Sequence, residues 1–354
     1  MRVGEALREA WRDIASGAGR PVTFALLFAV AVGGIVLASA VSTAAAVREA
    51  RDFIASGAAV YVMKASARID GSACDAMGSL ANVTAAGAIR EESEGIASAR
   101  LPRTPISMFL VSRGFTAMLP ASGDPSSGGL SLSRDAAETV GAESGQSLDT
   151  TRGATRVASV FDYPDDGRDP LLAFAATAPT DNGAAFDQCW ASIWPHDEHA
   201  VAALGRTVLS GGGEQADRPV LMQLNQTHGS RFVATTVLER STAGWLAIAA
   251  GGVIGVAFVL RRRLALASDR HIGVGRLAQV VSQSTQVLLG ASIGSAATLA
   301  AVLITVRSAS EDRLPVVLQS VTLLVAGGGA AVAACAITVC LLRESALFRY
   351  FKQR

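Results

Sequence analysis

Charge is missing from four long stretches of this chain, residues 21–47, 241–260, 277–306 and 314–342. Each reaches or exceeds the roughly 20 apolar residues that a helix needs to cross a bilayer, so a purely soluble protein is excluded. Histidine is absent from them too, which argues against a proton relay or ion pathway, since such routes need ionisable groups at membrane depth. Lysine is almost absent: Lys64 and Lys352 are the only two, with arginine used elsewhere, a bias that points to a GC-rich bacterial genome. Neither lysine follows a Gly-x-x-x-x-Gly run, so the phosphate-cradling loop of the common ATP-binding proteins is excluded. Any ATP-driven work then belongs to a separate subunit. A His-Glu-x-x-His helix is lacking as well, and no catalytic residues are expected. His196-Asp197-Glu198-His199 gathers imidazoles and carboxylates, but it follows Trp194-Pro195 at a loop or helix start. A third metal ligand would have to come from elsewhere, so the cluster reads as a solvated polar turn and no metal site is expected. His228 and His271 are isolated.

What is present divides unevenly. Half of the residues are hydrophobic and 17% are charged, as in a chain that is part membrane bundle and part soluble domain. Lys and Arg near the ends of spans mark the cytoplasmic side, whereas long translocated domains are largely exempt from this rule. Arg2, Arg8, Arg12 and Arg20 precede the first run; Arg261, Arg262, Arg263, Arg270 and Arg276 fill the connection between the second and third; Arg343, Arg349, Lys352 and Arg354 follow the fourth. Between the third and fourth, Arg307 and Arg313 are offset by Glu311 and Asp312. Both termini are therefore expected in the cytoplasm and residues 48–240 outside. Ala38-Ser39-Ala40 has the form of a leader cleavage site, but the apolar run is far longer than a leader's hydrophobic region. Val3, Leu7, Trp11 and Ile14 recur at helical spacing against charged residues, which predicts an amphipathic helix over 1–20 on the inner membrane surface.

The expected fold is a membrane protein of four transmembrane helices, over 21–47, 241–260, 277–306 and 314–342. A large mixed α+β extracytoplasmic domain over 48–240 is inserted between the first two. A cytoplasmic segment over 261–276, an external hairpin over 307–313 and a cytoplasmic tail over 343–354 complete it. Within the domain the pattern predicts strands at 60–69, 86–91, 106–111, 155–161, 171–176 and 219–224, and helices at 74–80 and 133–140. The second helix is capped by Ser131 or Ser133, with Asp135 in its first turn. Cys74 and Cys189 both fall outside, in an oxidising compartment, and are expected to pair. Cys335 and Cys340 lie in the last run and read as small packing residues. Gly33, Gly34, Gly251, Gly252, Gly255, Gly290, Gly294 and Gly327–Gly329 would let helices approach closely, within the chain or across a dimer.

Two segments carry a family resemblance. Residues 261–274, RRRLALASDRHIGV, running into Gln279-Val280-Val281 and Gln286-Val287-Leu288-Leu289-Gly290, resemble the region between the second and third spans of MacB/FtsX-like ABC transporter permeases. Outside, Leu130-Ser131-Leu132-Ser133 with Ala136-Ala137, Gly141, Gly145-Gln146 and Val157–Val160 is similar to that family's small residues, then glycine, then strand. Members often carry a Glu in the basic connection and another near the start of the third span; Ala265 and Gln286 stand at the matching positions, so contact here would rely more on arginine and shape. The resemblance implies the permease subunit of an ATP-driven exporter, located in a bacterial plasma membrane. Its partners would be two copies of an ABC ATPase that carry ATP and Mg, a second permease copy or a related permease, and membrane lipid. No cofactor bound by this chain and no nucleic acid is implied. The coupling residues would be Arg261, Arg262, Arg263, Arg270 and Gly273. Substrates of relatives include antimicrobial peptides, drugs such as macrolides, and lipoproteins. An FtsX-like regulator of a cell-wall hydrolase or signalling partner is the alternative within the family, and a membrane-anchored sensor without an ATPase lies outside it.

Overall fold

The computed structural model describes residues 21–124, 128–181, 183–210, 217–234, 239–307 and 313–342. The amphipathic helix expected over 1–20, the centre of the 307–313 hairpin and the 343–354 tail lie outside the described residues. The chain forms two compact units, Glu49–Val233 and the flanking Met1–Arg48 with Ala234–Arg354.

Helix α1, Pro21–Ala55, continues eight residues past the expected end at 47. Its extension, Arg48 to Ala55, is made mostly of good helix formers, and the whole helix is roughly 50 Å long. It ends where Gly57 takes a left-handed φ of +79°. Gly57 N–H donates to Ile54 O and Ala58 N–H to Phe53 O, at 3.0 and 3.2 Å, the paired bonds of a Schellman stop.

The inserted unit is built on ten strands: β1 Val60–Ile69, β2 Val83–Ile96, β3 Ile106–Val111, β4 Ala121–Gly123, β5 Leu130–Ser133, β6 Ser147–Thr150, β7 Gly153–Phe161, β8 Ala175–Pro179, β9 Phe186–Ile193 and β10 Val220–Gln223. Short helices α2 (Gly71–Ala76), α3 (Arg134–Val140) and α4 (Glu198–Ala203) complete it. The strand order is β10-β1-β9-β2-β3-β8-β5-β7-β4, with β6 paired to β7. The β3–β8 and β5–β7 pairs are parallel and the rest antiparallel. Successive side chains of a strand point to opposite faces. Tyr61, Met63 and Ala65 of β1 accordingly join a core with Cys74, Met77, Ala200 and Leu204, while Val60 and Val62 join Phe109, Phe115, Phe161 and Trp190.

Cys74 and Cys189 form a disulfide with 5.8 Å between their Cα atoms, tying α2 to β9 across 115 residues. Ser133 is the α3 cap: its hydroxyl accepts from Ala136 N–H at 3.4 Å and from Ala175 N–H at 3.1 Å. Ser131 instead accepts a hydrogen bond from Ser159. Gly141 ends α3 at φ +64°. The strand expected at 171–176 is corrected to a 3-10 turn, Pro170–Leu172, followed by β8. Pro170 suits a first helical position, and Asp169 caps the turn by accepting from Leu171 N–H.

The second unit contains α5 (Arg240–Arg261), α6 (Arg263–His271), α7 (Arg276–Thr305) and α8 (Arg313–Leu341), packed with the first part of α1. By length and apolar composition α1, α5, α7 and α8 fit membrane spans. Their contact faces repeat every four residues. α1 offers Phe24, Phe28, Val32, Val36 and Ala40; α5 offers Ala243, Ala247, Gly251, Gly255 and Val259; α8 offers Gly327, Ala331, Cys335 and Val339. A Cβ on Gly251 would collide with the carbonyl of Gly327, and one on Gly255 with that of Ala331. This is the close backbone approach that small residues permit between spans. Likewise a Cβ on Gly33 would strike the Thr298 hydroxyl, and one on Gly294 would lie 2.8 Å from Ala25 O. Gly290 is buried on α7. A Cβ added on Gly34 or on Gly252 would meet no atom within 4 Å among the described residues.

Candidate functional site

The basic connection between α5 and α7 folds as a helical bracket. Arg262 leaves helical geometry at φ −104° and ψ 7°, separating α5 from α6. α6 closes with a second Schellman stop, Gly273 N–H to Arg270 O and Val274 N–H to Asp269 O, both at 3.0 Å. Gly273 takes φ +96° there, a conformation natural to glycine and costly to most other residues. Gly275 then precedes α7 in an extended conformation.

Two arginines of the bracket turn inward. Arg270 is only 5% exposed. Its Nε donates to Gln279 Oε1 at 2.7 Å, one terminal nitrogen donates to Val339 O at 2.6 Å, and the other donates to Leu342 O. Val339 and Leu342 sit at the C-terminal end of α8, whose last carbonyls have no partner inside the helix and carry the negative end of its dipole. Gln279 in turn donates to Leu266 O at 2.7 Å. Arg262, half-buried, donates to Gln283 Oε1 at 3.2 Å and to Gln286 Oε1 at 2.7 Å. The bracket is thus fastened to the first turns of α7 and the last turn of α8 by hydrogen bonds between cations and neutral acceptors.

The other face is open. Arg261, Ala265, Ser268, His271, Gly273 and Arg276 are exposed, and two large apolar side chains stand beside them, Ile272 at 78% and Leu277 at 82% exposure. Of the five residues expected to couple, Arg261 and Gly273 face out, Arg262 and Arg263 are half-buried, and Arg270 is buried. Arg270 therefore holds the bracket together and offers no surface to another protein. Sequence reasoning missed Gln279, Gln283 and Gln286 as a group. Their signal is the spacing itself, three glutamines on one face at the start of a charge-free run.

Elsewhere the polar clusters satisfy themselves. Asp197 caps α4 by accepting from His199 N–H at 2.8 Å, which lowers its carboxyl pKa. His196 Nδ1 lies 2.7 Å from Tyr61 Oη, so His196 is engaged through its ring and His199 through its backbone N–H. Among the described residues no group of three His, Cys, Asp or Glu side chains converges on a point. Gly290-Ala291-Ser292-Ile293-Gly294 has the spacing of a hydrolase nucleophile turn. It lies mid-helix in α7 instead of at a strand-to-helix turn, and Ser292 returns its hydroxyl to Leu288 O at 2.8 Å.

No protein-family model matches the chain, and no curated protein matches its sequence. Among solved structures, the periplasmic region of MacB from Actinobacillus actinomycetemcomitans is similar at 9% identity and a TM-score of 0.34, over 47% of this chain and 89% of that one. The extracellular domain of the noncanonic ABC-type transporter YknZ from Gram-positive bacteria is similar at 11% identity and a TM-score of 0.31, over 42% of this chain and 93% of that one.

Proposed function

We propose that this chain is the permease subunit of an ATP-driven, MacB-like ABC exporter, which passes the motion of a separate ATPase to the domain inserted between α1 and α5. The observation that carries this reading is the α5–α7 bracket. It presents arginines and two bare apolar side chains on one face, and on the other it is bonded to α7 and α8. A push on the exposed face would be shared by several spans at once. The charge-free, glycine-packed helices suit transmission of movement better than an aqueous path. In this reading ATP and Mg reside on two copies of the ATPase, a second permease completes the assembly, and an amphiphilic peptide, drug or lipid-like substrate is expelled on the outer side.

Co-purification of the full chain with its ATPase tests the reading. Replacing Ile272 and Leu277 together by Ser is expected to weaken association by at least about tenfold, since two apolar side chains would no longer be buried. Arg261→Ala with Arg263→Ala is expected to lower stimulation of ATP hydrolysis. A chain that captures no ATPase would end the permease reading and the FtsX-like alternative alike. Capture of an ATPase without any change in drug or peptide susceptibility on deletion would favour the regulator.

A further inference from the structure

The C-terminal turn of α1 is held by side chains far away in sequence. Its last carbonyls are all occupied. Asp52 O accepts from Ser56 N–H at 2.9 Å, Phe53 O from Ala58 N–H, and Ile54 O from Gly57 N–H. The remaining one, Ala55 O, accepts from a terminal nitrogen of Arg168 at 2.7 Å, 113 residues along the chain. Asn225 adds a second tie, donating from one amide nitrogen to Ser56 O and to Asp166 O, both at 3.0 Å.

Arg168 is itself firmly seated, its side chain 9% exposed. It forms a two-point pair with Asp166, Nε to Oδ1 at 2.8 Å and a terminal nitrogen to Oδ2 at 2.6 Å. Its guanidinium carbon lies 5.1 Å from the centre of the Tyr163 ring. The loop carrying it is anchored to the sheet. Tyr163 Oη donates to Asp169 O at 2.6 Å, the Asp169 carboxylate pairs with Lys64 of β1 at 2.9 Å, and Asp169 N–H donates to Leu224 O at 2.9 Å. Phe53 grips the same turn from its side chain, with ring centres 6.0 Å from Trp194 and 5.7 Å from Phe232. Only Ser56–Ala59 separates α1 from β1.

Burying an ion pair is weak evidence for stability, because desolvation offsets most of the attraction. What this pair secures is direction: a planar guanidinium, fixed by carboxylate and ring, aimed at one helix-end carbonyl where a cation also suits the dipole. We infer that Arg168 is the positioning residue of a rigid joint that makes the last turn of α1 and the β1/β10 edge of the sheet one mechanical body. Movement of α1 then reaches the sheet without being absorbed in a slack linker. The mechanical consequence rests on the permease reading; the rigidity of the joint does not.

The joint is tested on the full chain in nanodiscs, in a Cys340→Ser background, with spin labels at Ile54→Cys on α1 and Leu80→Cys beside the sheet. Pulsed dipolar spectroscopy is expected to give a narrow distance distribution that broadens in Arg168→Gln and is partly restored in Arg168→Lys. Hydrogen exchange at Ser56–Ala58 is expected to accelerate by about tenfold or more in Arg168→Gln, the loss of a charged hydrogen bond, while Cys189–Ile193 stays protected and reports an intact sheet. Should Arg168→Gln fail to fold, Asn225→Ala carries the same test. An equally narrow distribution in the folded variants, or unaltered exchange at Ser56–Ala58, overturns the joint. Adding the ATPase and ATP separates the two ideas. A parent chain that never associates with the ATPase sinks the permease reading and leaves the joint measurement standing. A folded Arg168→Gln chain whose label distribution stays as narrow as its parent's while the ATPase hydrolyses ATP sinks the inference.

Discussion

Residues of one chemical type serve opposite purposes in this chain, and burial decides which. Arg261 and Arg270 belong to one basic cluster in sequence, yet one is exposed and the other ends three hydrogen-bonded contacts inside the bundle. Arg270→Gln is expected to destabilise the chain by roughly 1.5–3 kcal/mol, the range for a lost hydrogen bond to a charged group, and Arg261→Ala to leave stability within about 0.5 kcal/mol of the parent. Thermal unfolding in detergent measures both. Asp70 gives the corresponding test for an acid. Its carboxylate accepts from the Ser72 hydroxyl and from Ala73 and Ser72 N–H at the start of α2. Those bonds, that of the Ser72 side chain first, hold its pKa below the ordinary carboxylate value. A lowered acid stabilises the fold above its unfolded pKa and loses that contribution as pH falls through the folded value. Asp70→Ala is therefore expected to cost about 1 kcal/mol near neutrality and progressively less in acid. Asp70→Asn keeps a capping oxygen and should flatten that part of the pH dependence in an unfolding series.

At the scale of elements, the α5–α8 pair turns a sequence pattern into a distance. Gly251→Val would drive a side chain into the carbonyl of Gly327, whereas a Cβ on the neighbouring Gly252 would meet nothing within 4 Å among the described residues. Gly251→Val is expected to lose folded yield or lower the melting temperature by several degrees, and Gly252→Val to behave as the parent as a monomer. A dimer that fails only in Gly252→Val would show that this glycine packs against a second copy. The helices were legible because their signal is local: charge-free runs located α5, α7 and α8 to within a residue, and small residues marked their contact faces. The end of α1 was less legible, because its extension past Val47 carries Arg48, Glu49, Arg51 and Asp52 and a charge criterion stops too soon. β9 was missed entirely. It lies between β1 and β2 and is covered on both faces, with Cys189 and Ala191 in one core and Trp190 in the other, so the polar alternation that betrays a half-exposed strand is absent. Similarly, the inward turn of Arg270 is fixed by the end of α8, about 70 residues away, and no local pattern contains it.

For the whole molecule, the division into Glu49–Val233 and its flanks means that two kinds of cohesion are at work. The flanking unit is held by interlocking helix faces and a polar bracket at one end, the kind of cohesion that serves helices in lipid, where burying apolar surface gives no drive to associate. The inserted unit has an aqueous core problem of the usual kind and adds a covalent tie, Cys74–Cys189, spanning 115 residues. A crosslink of that reach stabilises mainly by restricting the unfolded chain, by up to about 4–5 kcal/mol, and that restriction applies only to the unit that contains it. Replacing both cysteines by Ser is therefore expected to lower the unfolding transition of the inserted unit and leave that of the helices in place. Calorimetry of the full chain in nanodiscs, with tryptophan fluorescence from Trp190 and Trp194 for the inserted unit in a background where Trp11 and Trp245 are Phe, distinguishes the two. A single transition that shifts as one would mean that the units unfold cooperatively.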